Sequence, residues 1–307
     1  MKPDCVVNVA TGVHARGQVR LLEGLAGVGF EGDRKIWTNE LPSGSPRHDA
    51  APFGFKPFAI REAIGFGYRN VLWLDANNIP VRRLDGIFRK IRKDGYYLFS
   101  LGASFGEWCS DSALRAFGVG RERSFSILEL CASCIGISAE SPVAMTFLDE
   151  WCAFALDGST FRGIGGEHPL ETTFNNDGLI MSSDPRVKGH RHDQTCASFL
   201  AWKHRMRLSS MEVANHQSVG VFGENVYSKT IPLSAAVVQC RDAKREQDDF
   251  LAGTDKYGNT AGPARLRFLA LSVAATVRKY VAFRRMRSLM RRKDYYSDPS
   301  SRGALGA

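Results

Sequence analysis

The chain has 307 residues, of which 44% are hydrophobic and 24% are charged, as is ordinary for a soluble globular protein. This length allows one large domain or two small ones with a substantial core. The formal net charge is +9, yet residues 1–262 contain 30 basic and 30 acidic residues, so the excess charge belongs to the carboxyl-terminal segment. The longest uncharged apolar run in that segment, residues 268–277, has ten residues, which is too short to span a bilayer.

The first residues do not resemble a signal peptide, because "MKPDCVVNVATG" has one early lysine, then an acid and only a short apolar run. The chain has seven cysteines, an odd number, which favours reduced thiols in a cytoplasmic protein. Cys131 and Cys134 have the CxxC spacing, but their surroundings are typical of a buried strand, and the second pair that a zinc knuckle needs is missing from the sequence. We therefore expect both to be structural.

The amino-terminal half predicts strands that alternate with helices. β-branched residues predict a strand over 5–11, and leucines at helical spacing predict a helix over 14–28. We expect a second, short strand over 33–41. A helix over 55–67 ends on a glycine, and a fully buried strand over 70–76 follows it.

The same alternation continues to residue 206. Its further elements are a helix over 84–95, strands over 96–102 and 132–138, a long helix over 141–158, a loop over 159–189 and a helix over 193–206. This pattern predicts βαβ units and an α/β fold with a mostly parallel sheet flanked by helices. We divide the chain into a domain over 1–240, a linker over 241–262, a basic helix over 263–293 and a disordered tail over 294–307.

Asp75 ends the buried strand in "NVLWLDANNIP" (70–80), although burying a lone carboxylate costs free energy. In α/β sheets, ligands bind at the carboxyl ends of the strands, where Asp75 is expected to lie. Asp75 and Asn77 are two residues apart in extended chain, so both could face one Mg²⁺ or Mn²⁺ that bridges to a diphosphate. The alternative is an Asx turn, in which either side chain bonds its own backbone and binds nothing.

The order of these stretches resembles the nucleotide-sugar-dependent glycosyltransferases of the GT-A fold, especially the galactosyltransferase and glycogenin-like group. The resemblance covers residues 5–220, roughly, and its most specific part is "FKPFAIREAIGFGYRNVLWLDAN". "VVNVATG" is similar to the family's first strand, and "GHRHDQTCASFL" (189–200) to the aspartate–glutamine pair that opens a later helix. The resemblance implies a GT-A-like (Rossmann-like) sheet. It also implies transfer of a sugar, with UDP as the favoured nucleotide, from a nucleoside diphosphate sugar to an acceptor hydroxyl.

Residue roles follow from the same resemblance. The ligands of Mn²⁺ or Mg²⁺ would be Asp75, Asn77 and His216. The donor would contact Thr11, Gly12, Lys56, His192, Asp193 and Gln194, with the last two orienting the sugar. Lys56 would approach the donor phosphates, and the alternative is a solvated lysine on the helix surface. The sequence departs from the family twice, because Asn77 stands where the family has its second acid and the usual glycine–lysine–proline does not follow His216.

The catalytic steps are less constrained by the sequence. The loop over 159–189, with Arg162, His168 and Glu171, could order over the donor and exclude water. The resemblance favours retention of configuration. An inverting enzyme would instead need a general base, for which the candidates are Asp111, Glu167 and Asp193.

The basic segment 263–293 holds ten Lys or Arg and no acid, and it has the pattern of one long helix opened by Pro263. Three interpretations stay open. It could be a helix packed on the domain with a solvated basic face. It could be an interfacial helix on anionic lipid, which suits an acceptor in lipid-linked or envelope glycan and a place on the inner face of a membrane. It could also bind nucleic acid, which suits a hydroxylated modified base in DNA as the acceptor.

A rival hypothesis is a non-catalytic protein that binds a nucleotide sugar, DNA or a membrane through a degenerate site. Asn77 motivates this alternative, because the amide removes a metal-binding charge. A nucleotidyltransferase, which would release pyrophosphate, is a second rival. Nucleotidyltransferases usually have a glycine-rich basic loop after the first strand, and "ATGVHARGQVR" is only loosely similar to such a loop.

Overall fold

The computed structural model describes residues 2–80, 82–163, 181–210, 215–217, 220–221, 224–225 and 237–239. The predicted linker, basic helix and tail (241–307) lie outside the described residues, as do Glu167, His168 and Glu171. The division into domains therefore stays a prediction. In the part of the chain that is described, no helix is long and apolar enough to cross a membrane.

The elements of the first half follow the predicted alternation. They are β1 (Lys2–Ala10), α1 (Ala15–Gly27), β2 (Asp33–Thr38), α2 (Phe55–Gly65), β3 (Tyr68–Leu74), β4 (Asn78–Pro80), α3 (Asp85–Asp94), β5 (Tyr96–Tyr97) and β6 (Phe99–Ser104). A 3-10 turn over Gly12–His14 follows β1. The single strand predicted over 96–102 is in fact two strands, β5 and β6, which belong to different sheets.

The second half contains short elements that the sequence pattern did not predict. Its elements are α4 (Asp111–Phe117), α5 (Arg121–Ser124), β7 (Leu128–Leu130), β8 (Cys134–Ser138), α6 (Pro142–Asp157), α7 (Ser159–Arg162), α8 (His192–Lys203), β9 (Ser209–Ser210), β10 (Asn215–Gln217), β11 (Gly220–Val221), β12 (Glu224–Asn225) and β13 (Val237–Gln239). The unpredicted ones are α4, α5, α7, β7 and the short strands β9 to β13. Ser141 caps α6, since its Oγ accepts a hydrogen bond from the Ala144 backbone N–H.

The main sheet has five strands in the order β2-β1-β3-β8-β5. β1 is parallel to both β2 and β3, whereas β8 is antiparallel to β3 and to β5. Only β8 therefore runs against the other strands of this sheet, and the expected α/β fold with a mostly parallel sheet flanked by helices is confirmed. The carboxyl ends of β1, β2 and β3 lie together at one edge.

Helices cover both faces of this sheet because its strands are apolar on both sides. Val7 and Trp73 belong to the core that the strands share with α2, α6 and α8. Val6 and Leu72, their neighbours in sequence, belong to a second core with α1 and α3. This division follows from the alternation of side chains along a strand. The six described cysteines are buried and unbridged, Cys131 and Cys134 among them.

Helix α1 contacts the turn that follows β3 at the position of Gly17. A Cβ atom on Gly17 would lie 2.5 Å from the backbone oxygen of Ala76, closer than real side chains allow. The backbone of the Asp75–Asn77 turn is thus fixed by direct contact with the helix.

We expect Gly17→Ala to lower the free energy of unfolding by about 1–3 kcal/mol, because the methyl group must displace backbone rather than a flexible side chain. Urea unfolding followed by circular dichroism measures the change. The matched control is Gly86→Ala in α3, where a Cβ would meet nothing within 4 Å and alanine should be neutral or stabilising. Equal stability of both variants would show that the close contact is unimportant.

Candidate functional site

Three elements bring charged side chains together at the carboxyl end of β3. Lys56 is the second residue of α2, Asp75 follows β3 directly, and Asp193 is the second residue of α8. Lys56 Nζ lies 2.9 Å from Asp75 Oδ1 and 2.9 Å from Asp193 Oδ2. Residues that are far apart in the sequence therefore form one cluster, which we call the Lys56 cluster (Lys56, Asp75 and Asp193).

Lys56 is the centre of this cluster, and its ammonium group is almost fully buried. Its third contact is a hydrogen bond donated to the backbone oxygen of Ala132 at 3.2 Å. Nζ also lies 5.4 Å from the ring centroid of Phe53 and 5.6 Å from that of Trp73. Burial disfavours the charged amine, but the two carboxylates outweigh burial and raise the pKa of Lys56, so the ammonium is charged at neutral pH.

Asp75 is the exposed member of the cluster, with 26% of its side chain accessible to solvent. Oδ1 accepts a hydrogen bond from Trp73 Nε1 at 2.8 Å, in addition to the contact with Lys56. The Asp75 backbone N–H donates to the backbone oxygen of Ser133 at 2.8 Å. The Asn78 backbone N–H donates to the backbone oxygen of Asp75 at 2.9 Å, which closes a turn. The carboxylate is therefore fixed in direction and still reachable from solvent.

Asp193 is buried, with 4% of the residue exposed, and its backbone oxygen accepts a hydrogen bond from Trp151 Nε1 at 3.2 Å. Burial raises the pKa of Asp193 to about 6, although Lys56 acts in the opposite direction. The carboxyl group is thus ionised at pH 7. The neighbouring Gln194 accepts a hydrogen bond from the Ala132 N–H through Oε1 at 3.2 Å. The predicted Asp193–Gln194 pair therefore lies beside Lys56 and against the Ala132 backbone.

His192 lies next to Asp193 in the sequence but faces the protein interior. Its Nδ1 is 2.8 Å from the Phe161 backbone oxygen, and 1% of the residue is exposed. Its φ of 46° is in the left-handed region, which costs a non-glycine residue free energy and which this hydrogen bond helps to maintain. Burial lowers the pKa of His192 to about 4, so the ring is neutral at pH 7. A donor-binding role for His192 stays a prediction.

Thr11 and Gly12 lie at the end of β1, at the same sheet edge, and both are exposed. The Gly12 N–H donates to Asn39 Oδ1 at 2.9 Å, which joins the ends of β1 and β2. Behind this turn, Asn8 Nδ2 donates to the Leu74 oxygen at 2.7 Å, and Gln18 Nε2 donates to Asn8 Oδ1 at 2.8 Å. The position suits the predicted contact with a nucleoside, which stays a prediction.

Asp111 has a different set of partners. Its carboxylate forms an ion pair with Arg121 and accepts a hydrogen bond from Ser182 Oγ at 2.8 Å. Burial alone would raise the pKa of Asp111, but these bonds outweigh it and lower the pKa. A carboxylate stabilised in this way is a weak base, so the structure offers no support for Asp111 as the general base.

Two of the predicted metal ligands, Asp75 and His216, belong to neighbouring parts of the backbone. The backbone of His216 lies in β10, which pairs with β13, and β13 pairs with β4 directly after the Asp75–Asn77 turn. Nevertheless, no group of three or more His, Cys, Asp or Glu side chains that could hold a metal ion occurs among the described residues. The side chain of His216 lies outside the described residues. The described acids, Asp75 and Asp193, both face the Lys56 ammonium, and this arrangement does not suit a preformed divalent metal centre. The ligand set of Asp75, Asn77 and His216 stays a prediction.

Sequence reasoning missed the partners that define the site. Trp73 alternates with apolar neighbours in a buried strand, so its hydrogen bond to Asp75 had no distinct signal. Ala132 and Ser133 make their contacts through backbone atoms, and such contacts cannot be predicted from the residue types. One signal was available for Lys56, since it stands among apolar residues in "FGFKPFAI", and this predicts an unusually buried lysine.

No known family model and no curated protein matches this sequence. The fold is similar to that of several solved glycosyltransferases. One is involved in the glycosylation of the major capsid of PBCV-1, with 12% identity, a TM-score of 0.40 and coverage of 82% of this chain and 100% of that one. Mouse xyloside xylosyltransferase 1 has 9% identity, a TM-score of 0.44 and coverage of 78% and 98%. The galactosyltransferase LgtC has 11% identity, a TM-score of 0.37 and coverage of 86% and 99%. Likeness at this level concerns the fold and carries no information about donor, metal or acceptor.

Proposed function

We propose that this chain is a glycosyltransferase that moves a sugar from a nucleoside diphosphate sugar to an acceptor hydroxyl. The observation that carries the proposal is the Lys56 cluster at the carboxyl end of β3, where α/β folds bind their ligands. The cluster joins the most specific stretch of the sequence resemblance, "FKPFAIREAIGFGYRNVLWLDAN", to the aspartate–glutamine stretch "HDQTCASFL".

The chemistry assigned to this chain's own residues is binding and orientation. Asp75 presents its solvent-accessible carboxylate as a hydrogen-bond acceptor for hydroxyl groups of the donor. Asp193 and Gln194 would accept and donate hydrogen bonds to sugar hydroxyls, and they are held against the Ala132 backbone and Lys56. Fixed partners of this kind orient the anomeric carbon without a cost of rearrangement during the reaction.

We propose a UDP-sugar as donor, a hexose as the transferred sugar and a glycan or lipid-linked glycan as the acceptor. These finer assignments come from the sequence resemblance, and a hydroxylated base in DNA is the alternative acceptor. The predicted Mn²⁺ or Mg²⁺ stays an expectation from the sequence, since the described side chains do not form its site. No step of the proposed chemistry depends on it.

We expect release of a nucleoside diphosphate from at least one member of a panel of nucleotide sugars, tested with Mn²⁺ and with a chelator. Asp75→Asn should reduce the rate at least tenfold, because a carboxylate accepts stronger hydrogen bonds from donor hydroxyls than an amide of the same shape. The control is Asp149→Asn, which changes an exposed ion pair with Arg61. Donor binding without release, in the presence of a panel of acceptors, would favour the non-catalytic alternative, and absence of binding would contradict both.

A further inference from the structure

Most of the negative charge of the Lys56 cluster is compensated without a metal ion. Its two carboxylates face the ammonium of Lys56 at 2.9 Å each. Asp193 also lies in the first turn of α8, whose amino-terminal end is not capped by a side chain. This helix end is equivalent to roughly half a positive charge. The ammonium and this helix end therefore offset most of the negative charge of Asp75 and Asp193.

A divalent ion would find little to bind in this arrangement. Asp75 Oδ1 already accepts from Trp73 Nε1 at 2.8 Å and from Lys56. An ion on the remaining oxygen would be repelled by the ammonium, because burial removes the water that would otherwise screen that charge. Asn77 supplies an uncharged amide where a second carboxylate would have strengthened binding.

We propose that the Lys56 ammonium takes the place of a resident divalent ion in this site, so that most of its negative charge is compensated in the free protein without metal. The inference rests on the proposed function, because it describes the donor site of that reaction. It departs from the sequence expectation of a Mn²⁺ or Mg²⁺ centre held by Asp75, Asn77 and His216. Lys56 contributes a fixed charge, and its three contacts position both carboxylates.

A titration of the free protein with Mn²⁺, followed by electron paramagnetic resonance of the unbound ion, tests this inference without any donor. For the wild type we expect a Kd weaker than about 1 mM, which is the weak end of the range for protein sites that bind divalent cations through oxygen ligands. Lys56→Met should tighten Mn²⁺ binding by about tenfold or more, because it leaves two uncompensated carboxylates. A purely structural role of Lys56 would not produce such a gain.

Asn77→Asp provides a second test that keeps Lys56 in place. The added carboxylate should also tighten Mn²⁺ binding by about tenfold or more. The control Thr146→Asp adds the same charge at an exposed position of α6, which begins at the opposite edge of the sheet, and should leave binding unchanged. If Lys56→Met fails to fold, Asn77→Asp decides the question.

Wild-type binding tighter than about 1 mM, or no gain from Asn77→Asp, would overturn the inference. If no nucleotide sugar of the panel binds or is cleaved, the proposed function is wrong, but the result of the Mn²⁺ titration still stands. The two proposals can therefore fail separately.

Discussion

Lys56→Met is expected to lower the free energy of unfolding by about 3–5 kcal/mol, the usual cost of removing one member of a buried ion pair. The reason is that Asp193, with 4% of its surface exposed, loses its only described cationic partner within contact distance. Methionine has nearly the volume of lysine, so the change measures charge more than packing. Urea unfolding at pH 7, followed by circular dichroism, gives the value.

The control for this measurement is Lys203→Met. Lys203 forms an exposed ion pair with Glu150, and pairs of that kind contribute about 0–1 kcal/mol. A double-mutant cycle with Asp193→Asn then isolates the interaction between Lys56 and Asp193. If Lys56→Met lowers the free energy of unfolding no more than Lys203→Met does, the ion pairs of the cluster contribute little to stability.

Asp193→Asn is expected to lower kcat by about 10- to 150-fold, the loss of one hydrogen bond to a charged group. KM for the donor should change much less, because the role assigned to Asp193 is orientation of the sugar in the transition state. Steady-state release of the nucleoside diphosphate, measured for the donor found in the panel, separates the two constants.

Gln194→Glu is a useful companion to that variant. It keeps the Oε1 atom that accepts from the Ala132 N–H at 3.2 Å but adds a charge beside Asp193. We expect it to impair release of the nucleoside diphosphate as well, since like charges in a buried site repel.

For Asp193→Asn, a large rise of KM with unchanged kcat would contradict the proposed role of Asp193 in orienting the sugar. It would indicate that Asp193 binds the donor equally well in the ground state and the transition state.

Much of this site was predictable because strand ends carry information in α/β folds. The apolar run 70–74 predicted β3, and the acid directly after it predicted a ligand site at the sheet edge. Lys56 and Asp193 were predicted as donor contacts in separate stretches. Their sequence positions in the first turns of helices already placed them near strand ends.

The pairing of these residues was not predictable, because it depends on how distant elements pack. β8 is antiparallel, and this reversal places Ala132 and Ser133 beside the end of β3. Repeated strand–helix alternation indicates parallel strands and gives no sign of one reversed strand. Helix α4 was missed because seven residues are too few for a clear periodicity, although Ser110 and Gly118 at its ends are ordinary capping residues.

The contact between Gly17 and Ala76 has a consequence for how this site could change during evolution. The turn backbone is held by its contact with α1. Exchange of asparagine for aspartate at position 77 would therefore alter the charge of the site while this backbone contact stays in place. Asparagine and aspartate codons differ by a single base. On the proposal above, one point mutation would separate a site with an internal ammonium counter-charge from a site that binds a divalent ion.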